Sequence, residues 1–272
     1  MKAISDTLMH FLGRASKNEP LRQLEIFKKI IQNGLLCSYV ETLFGFEGIV
    51  NNKAVCFTDM PLNFCDEHAA TYGKFAIGFK KPFVKNVGGN PAFYFVDYPV
   101  TFKLTPELIG TRGLVFNNLK EVFKFLLRLQ TVNGTSDFDG LYDKDGNKLF
   151  DQSEIETWLS NSIQVLSFGK PVGDLGPARD EADNIDPYYN EREWRVIPYY
   201  ASLIRKKIEE INGDYYVKFN RDDVRIIIVP NDDIKNMLIE YLLGLKNEED
   251  LRLREFGQNL PPIINYDELK HF

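Results

Sequence analysis

The segment "YYNEREWRVIP", residues 188–198, contains side chains whose types and spacing can do chemistry. If it forms a strand, alternation places Glu191, Glu193 and Arg195 on one face and Trp194 on the other. An arginine beside a carboxylate keeps that carboxylate ionised and oriented. Glu193 is therefore the first candidate for a reactive carboxylate and Glu191 the second. The alternative is an ion-paired edge strand whose charges face water.

Two further spacings resemble metal sites but are incomplete. Cys65 and His68 have the spacing of zinc ligands, yet a structural zinc site needs four ligands and the chain has only two other histidines. Residues 143–154 match several ligand positions of an EF-hand loop, but Lys148 stands where that loop needs glycine. The sequence predicts an Asp-Gly β-hairpin over residues 140–151 instead, and no metal site is assigned.

The elements that would position these residues follow from periodicity and punctuation. A short strand opens the chain at "TLMHFLGR", and a helix follows with Asn18 as its cap, Leu21 in its apolar stripe and Gly34 at its end. Further strands are predicted in residues 54–62, 74–83, 90–102, 214–219 and 224–230. Further helices are predicted in residues 119–129, 153–168 with Ser153 as cap, and 231–245. Residues 169–187 read as a long irregular loop.

Composition is that of an ordinary folded protein, with 44% hydrophobic and 26% charged residues. The net charge of -6 weakly disfavours a nucleic-acid-binding surface that covers the whole protein. The start of the chain lacks a signal peptide, and nowhere do eighteen apolar residues follow one another. Three scattered cysteines suit a reducing compartment. We expect a soluble, cytoplasmic protein that does not enter the membrane.

Short strands early and late with helices between them predict an α+β fold with mainly antiparallel, split sheets and flanking helices. The absence of G-x-G-x-x-G and of G-x-x-x-x-G-K-[ST] argues against a doubly wound dinucleotide fold and against P-loop chemistry. We expect one domain over residues 1–246 that carries an inserted helical and hairpin segment around 117–187. Residues 247–272 are expected to pack on this body as a tail.

Several segments together resemble one known family. "HFLGR", the helix "LEIFKKIIQNGLL", "VCFTDMPL", "EHAATYGKFAIGFKK" and "NPAFYFV" are similar to the bacterial abortive phage resistance family AbiGi, whose members are described as antitoxins. The later "NEREWRVIP" resembles the E-x-E-W-R strand of the same family. The resemblance covers most of residues 4–98 and implies a role in phage defence, with a partner toxin or antitoxin encoded nearby.

The order of these parts is also similar, more distantly, to the ADP-ribosyltransferase fold, whose members cleave NAD at the nicotinamide–ribose bond. The resemblance implies NAD as substrate, with Glu193 as the catalytic carboxylate, His10 on the ribose and Tyr72 stacked on nicotinamide. The remaining residues that it assigns to NAD binding are Arg14, Thr58, Glu191 and Arg195. A glutamate near the anomeric carbon would offset the developing positive charge.

A purely structural role is the alternative for each of these residues. His10 could be a strand histidine satisfied by backbone, Tyr72 could cap a turn, and Thr58 could simply hold the turn before Pro61. The leading function is an NAD-dependent ADP-ribosyltransferase-like effector that modifies a macromolecule, and the alternative is a non-catalytic antitoxin that binds a partner toxin. A third possibility is a non-toxic sensor that binds NAD or a nucleotide without turnover. The sequence does not name the acceptor of the first or the partner of the second.

Overall fold

The structure is a computed structural model of the 272-residue chain. It describes residues 6–40, 53–59, 66–96, 139–172, 192–198 and 206–271, together with residues 122, 125 and 128. The chain divides into two compact units. Unit 1 consists of Met1–Val40, Lys53–Ala92 and Asn190–Phe272, and unit 2 consists of Glu41–Asn52 and Phe93–Tyr189.

The described strands and helices are numbered in chain order. The strands are β1 (Thr7–Phe11), β2 (Leu35–Leu36), β3 (Ser38–Tyr39), β4 (Lys53–Thr58), β5 (Ala76–Lys80), β6 (Asn90–Pro91), β7 (Phe93–Val96), β8 (Gly140–Tyr142), β9 (Lys148–Asp151), β10 (Gly169–Val172), β11 (Glu193–Val196), β12 (Ile208–Ile211), β13 (Asp214–Val217), β14 (Val224–Val229) and β15 (Ile263–Asn265). The helices are α1 (Pro20–Asn33), α2 (Asp66–Tyr72), α3 (Lys81–Asn86), α4 (Gln152–Leu166), α5 (Asp232–Gly244) and α6 (Leu251–Gln258). Strands β7 to β10 and helix α4 belong to unit 2.

The large sheet of unit 1 has the strand order β15-β14-β5-β1-β4-β11-β6, and β3 also pairs with β4. Its described neighbours are antiparallel except β14 and β15, which are parallel. One row of registered residues crosses five of its strands: Ile226, Gly78, Met9, Thr58 and Glu193. Because directly opposed residues point to the same side of a sheet, this row defines one face, called here the Glu193 face.

The opposite face of the same sheet carries the main hydrophobic core. The core includes Phe57, Phe79 and Ile227 from the strands and Phe27 and Leu238 from helices α1 and α5. A second, smaller core lies on the Glu193 face. Its members are Met9, Ala69, Ala76, Ile228, Tyr266 and Leu269. Within the described part of the chain, helix α2 and the 3-10 helix Tyr266–His271 supply the helical members of this second core.

Helix α1 forms where the sequence predicts it, but its start differs. Glu19, not Asn18, is the N-cap residue, because Pro20 occupies the first turn, the position in which its missing N–H does no harm. Leu21 is 62% exposed, so its place in the apolar stripe is wrong, and the buried stripe begins at Gln23 and Leu24. Gly34 ends the helix with φ of 95°, as predicted.

The predicted hairpin of unit 2 is confirmed as the antiparallel pair of β8 and β9. The Asp143 carboxylate accepts hydrogen bonds at 2.8 Å from the backbone N–H groups of Asp145 and Asn147, so it organises the turn. Ser153 as the cap of α4 is wrong. Asp151 accepts from the Glu154 N–H at 2.8 Å, and Glu154 accepts from the Asp151 N–H at 2.9 Å, which is a capping box.

Two other predicted boundaries change. Strand β5 ends at Lys80, since Pro82 lies in the first turn of α3, where proline favours a helix start. The predicted loop at 169–187 begins instead with strand β10, which pairs in parallel with β7 within unit 2. The rest of that loop lies outside the described residues. Of the helix predicted at 119–129, the structure describes only residues 122, 125 and 128, and all three are helical.

The last third of unit 1 largely follows its sequence pattern. Strands β13 and β14 are confirmed, and Asn231 caps α5 by accepting from the Ile234 N–H at 3.0 Å. Strand β12 was not predicted; it pairs with β13, which pairs in turn with β2. Residues 247–272 contribute α6 and β15, and β15 adds a strand to the edge of the large sheet.

Helices and several largely antiparallel sheets within one chain confirm the α+β class. In the described ranges, the structure contains no helix with the length and apolar character needed to cross a bilayer.

Candidate functional site

The charged segment identified from sequence forms strand β11, which lies between β4 and β6. The Arg195 Nε atom donates to Glu193 Oε1 at 2.6 Å, so the two side chains share a face, as alternation predicts. The Cys56 thiol of β4 donates to the same oxygen at 3.1 Å. Thr58 stands directly opposite Glu193 in the register, and Cys56 stands opposite Arg195. These four residues form the Glu193 cluster.

Burial distinguishes this cluster from the water-facing ion pair that the sequence left as an alternative. Arg195 is 1% exposed and Glu193 is 8% exposed, so the alternative of charges facing water is wrong. A buried carboxylate and guanidinium are stable only when each is paired and hydrogen-bonded. The cluster meets that condition and links β11 to β4 through side chains as well as backbone.

The structure does not bring His10 to the Glu193 cluster. His10 lies beside Met9 in β1, and Met9 opposes Thr58, so alternation directs the His10 ring to the other face, where it lies 5.8 Å from the Phe57 ring centre. Its Nδ1 atom donates to the Cys56 carbonyl oxygen at 2.9 Å. Burial lowers the pKa of His10, and this hydrogen bond only partly opposes the shift. His10 is thus a strand histidine satisfied by backbone, the alternative that the sequence left open.

Tyr72 lies nearer the expected face than His10 does. It is the last residue of α2, and its ring centre is 6.4 Å from that of Phe11, which alternates onto the Glu193 face. The sequence did not single out His68 for this face, yet its ring centre is 5.8 Å from both Phe11 and Tyr72. The α2 spacing of i and i+4 was the available signal that these two side chains lie together.

The remaining residues that the resemblance assigns to NAD binding are dispersed. Thr58 belongs to the Glu193 cluster and is 5% exposed. Arg14 begins the short 3-10 helix Arg14–Ser16 that follows β1. Glu191 lies outside the described residues.

On the opposite face, the end of β4 carries a second charged contact. The Lys81 Nζ atom lies 2.5 Å from Asp59 Oδ2 and 5.0 Å from the centre of the Trp194 ring. Both side chains of the ion pair are 13% exposed. Trp194 belongs to the main core, as predicted. The Asp59 carboxylate holds the start of α3 against the sheet.

The participation of Cys56 was missed from sequence, since a thiol in an apolar strand reads as core. The missing information was the register between β4 and β11, two strands that are far apart in the chain. Across the described ranges, no three or more His, Cys, Asp or Glu side chains converge to hold a metal ion.

Fold and cluster together define an α+β protein whose central, mainly antiparallel sheet contains a buried glutamate–arginine pair. A family model described as "abortive phage resistance protein AbiGi, antitoxin" matches residues 48–230, which is more than half of the chain. The chain belongs to the AbiGi family, as its motifs predicted. The matched region contains β4 and β11 but begins after β1 and α1. No curated protein and no solved structure matches the chain.

Proposed function

We propose that this protein acts in the cytoplasm as an antitoxin of abortive phage infection, and that it neutralises a partner toxin by direct binding. The observation that carries the proposal is the match of the AbiGi family model over residues 48–230. The family description names an antitoxin, and an antitoxin of this kind requires a surface that holds another protein.

Unit 2 carries large exposed apolar side chains, and we propose that the toxin docks on them. Large apolar side chains at least 46% exposed recur on its hairpin, on α4 and on β7: Phe93, Tyr142, Leu149, Phe150, Trp158 and Val165. Trp158 and Val165 are seven residues apart on α4 and therefore lie on one side of that helix. Exposed apolar side chains in such number are typical of protein–protein interaction sites, in which tryptophan and tyrosine contribute most of the binding energy.

Charge in unit 2 indicates the chemistry of the partner. Residues 139–172 contain six acidic and three basic side chains. Of the three basic side chains, that of Lys170 is buried. Hydrogen bonds from Asn147 hold the pKa of Asp143 below its usual range, and the Glu154 N–H does the same for Asp151. These carboxylates are therefore ionised at neutral pH. We propose that the partner presents a basic, partly apolar surface to unit 2.

The NAD-dependent effector is the competing proposal, and the grouping of Glu193, Arg195 and Thr58 on one face is what favours it. Three features count against the enzyme. Glu193 is buried, one of its oxygens already accepts from Arg195 and Cys56, and His10 points to the other face. NAD as a substrate and an ADP-ribosyltransferase-like fold remain predictions.

A growth assay separates the two functions. The protein is expressed alone, and the product of its neighbouring gene is expressed with and without it. An antitoxin is harmless alone and restores growth when the neighbouring product is toxic. Toxicity of the protein alone that disappears in Glu193→Gln, together with nicotinamide release from NAD, would overturn the antitoxin proposal in favour of the enzyme.

A pull-down with the same neighbouring product tests the proposed surface. Trp158→Ala should weaken binding by roughly 30-fold or more, the effect of losing an interface hot spot. Thr157→Ala is the matched control, because Thr157 is the exposed neighbour of Trp158 on the same helix. Equal binding by both variants would show that the partner contacts another surface.

A further inference from the structure

A cavity of about 480 Å³ lies in unit 1, beside the strand ends of β1, β5 and β14. Its charged lining residues are Lys80, Arg221 and Arg225, and none of the described residues that line it is acidic. The net charge of the chain is -6, so a cavity lined by three cations has the opposite sign to the protein as a whole. Like charges gathered without an acidic partner repel one another, so their arrangement favours an anionic ligand.

A β-bulge turns Arg225 toward this cavity. Val224 pairs with Phe79 and Ile226 pairs with Gly78, so Arg225 is an extra residue in β14. In a regular strand, Arg225 and Ile226 would point to opposite faces, but both line the cavity. Bulges recur beside functional sites because they re-aim a side chain in this way.

Arg221 is held in place by backbone carbonyl groups, and among the described residues it forms no ion pair. Its guanidinium donates to the carbonyl oxygens of Leu260 at 3.0 Å and Val224 at 3.4 Å, and also to that of Asn259. These acceptors are neutral, so they fix the position of the guanidinium but do not neutralise it. A pre-positioned cation loses little conformational freedom when an anion binds.

Lys80 and Arg225 complete the positive lining from neighbouring strands. Both side chains are exposed, and within the described part of the chain neither forms an ion pair. The rest of the lining is largely apolar and includes Ile226 and Pro262. A cavity of this volume, with apolar walls and a few convergent charges, has the make-up of a small-molecule site.

We propose that this cavity binds the phosphate groups of a phosphorylated small molecule of nucleotide size. Guanidinium groups fork onto phosphate oxygens, and an ammonium contributes a further point charge. The apolar walls would contact the uncharged part of the ligand. This site is independent of the proposed toxin-binding surface, since all of its residues belong to unit 1.

Calorimetry with ADP, inorganic pyrophosphate and adenosine tests the proposal on the full chain. We expect ADP and pyrophosphate to bind and adenosine, which lacks phosphate, to bind at least tenfold more weakly. Arg225→Glu and Lys80→Glu should each weaken ADP binding at least tenfold. Lys144→Glu is the matched control, because it makes the same charge change at the exposed turn of the unit 2 hairpin and should leave binding unchanged.

Three results would overturn the site: no binding of ADP or pyrophosphate at millimolar concentration, an equal loss in Lys144→Glu and Arg225→Glu, or binding of a polyglutamate peptide but not of pyrophosphate. Arg225→Gln, which keeps a polar side chain, distinguishes lost binding from lost folding when thermal unfolding is recorded alongside. Retention of the toxin partner by Arg225→Glu would leave the antitoxin proposal intact whatever the outcome here.

Discussion

Two charged clusters lie along the large sheet, and they are built in opposite ways. In the Glu193 cluster on β4 and β11, a carboxylate and a guanidinium neutralise each other and are removed from water. In the cavity beside β5 and β14, Lys80 and Arg225 carry the same sign and remain exposed. The charges of the Glu193 cluster neutralise each other, whereas the charges around the cavity are neutralised only when the proposed anion binds.

The difference teaches where function is to be sought in this molecule. Charge density along the sequence favours "NEREWR" over the less dense "VRIII", but a dense stretch of opposite charges can satisfy itself. Same-sign residues contributed by separate segments cannot do so. The closed cluster is therefore expected to act on stability and the open one on binding.

The largest expected effect comes from breaking the closed cluster. Arg195→Ala leaves the Glu193 carboxylate in a buried position without its guanidinium. Losing one partner of a buried ion pair costs about 3–5 kcal/mol of unfolding free energy. Urea unfolding followed by circular dichroism measures the loss.

A double variant serves as the control for that measurement. Replacing Glu193 by Leu together with Arg195 by Met removes both charges, so it should cost less than Arg195→Ala alone. If Arg195→Ala costs less than about 1 kcal/mol, as an exposed pair would, the contrast between the closed and open clusters fails.

The contrast also shows what the sequence could reveal. Local rules sufficed for α1, the hairpin, α5 and the shared face of Glu193 and Arg195, because each depends on neighbours along the chain. The side of the sheet taken by His10 and the involvement of Cys56 depend on strand register, which joins residues far apart in sequence.

The cavity was beyond the sequence for the same reason. Its cations come from β5, β14 and the turn before β14, and the bulge at Arg225 leaves no clear mark in the alternation of "VRIIIV". Capping was missed for a smaller reason: Asp151 and Ser153 are both good caps, and only the reciprocal bond with Glu154 selects between them.

A substitution at Gly78 tests the packing beside the cavity. Gly78 lies in the row of registered residues that runs from Ile226, which lines the cavity, to Glu193. A Cβ atom there would lie 2.6 Å from Ile226 Cγ2 and 2.9 Å from both Met9 Sδ and Thr7 Cγ2. Gly78→Ala should therefore cost about 1–3 kcal/mol through overpacking. Chemical denaturation is the measurement.

Gly244→Ala is its matched control, because nothing lies within 4 Å of a Cβ built at that position. At the end of α5, alanine should be neutral or should stabilise by up to about 1 kcal/mol. Equal destabilisation by the two variants would mean that the close packing of Thr7 and Ile226 over Gly78 has no energetic consequence.

A buried thiol, Cys37, gives a third case, since no described residue of opposite charge forms a hydrogen bond with it. Burial raises the pKa of the Cys37 thiol to about 12, and Lys53 opposes the shift only in part. An unfolded thiol ionises near ~8.5, so between these values the unfolded state holds fewer protons and stability falls as pH rises. The slope is at most about 1.4 kcal/mol per pH unit.

Comparing wild type with Cys37→Ala isolates this contribution from the lysines and tyrosines that titrate in the same range. Unfolding free energies at pH 8, 9 and 10 should converge as pH rises, because the variant lacks the thiol. If the two curves stay parallel, the thiol ionises equally in both states and its burial does not set its pKa.

The smallest expected effect completes the comparison. Arg225→Ala removes the same guanidinium group as Arg195→Ala, but from an exposed position beside other cations. We expect its unfolding free energy to change by no more than about 0.5 kcal/mol, the range of ordinary surface substitutions. Relief of repulsion from Lys80 and Arg221 favours a slight gain in stability.

Urea unfolding of Arg225→Ala beside wild type measures the change, and a loss above about 2 kcal/mol would make Arg225 a structural residue like Arg195. An unchanged stability combined with weaker ADP binding would instead show that the bulge at Arg225 is kept for a ligand and not for the fold.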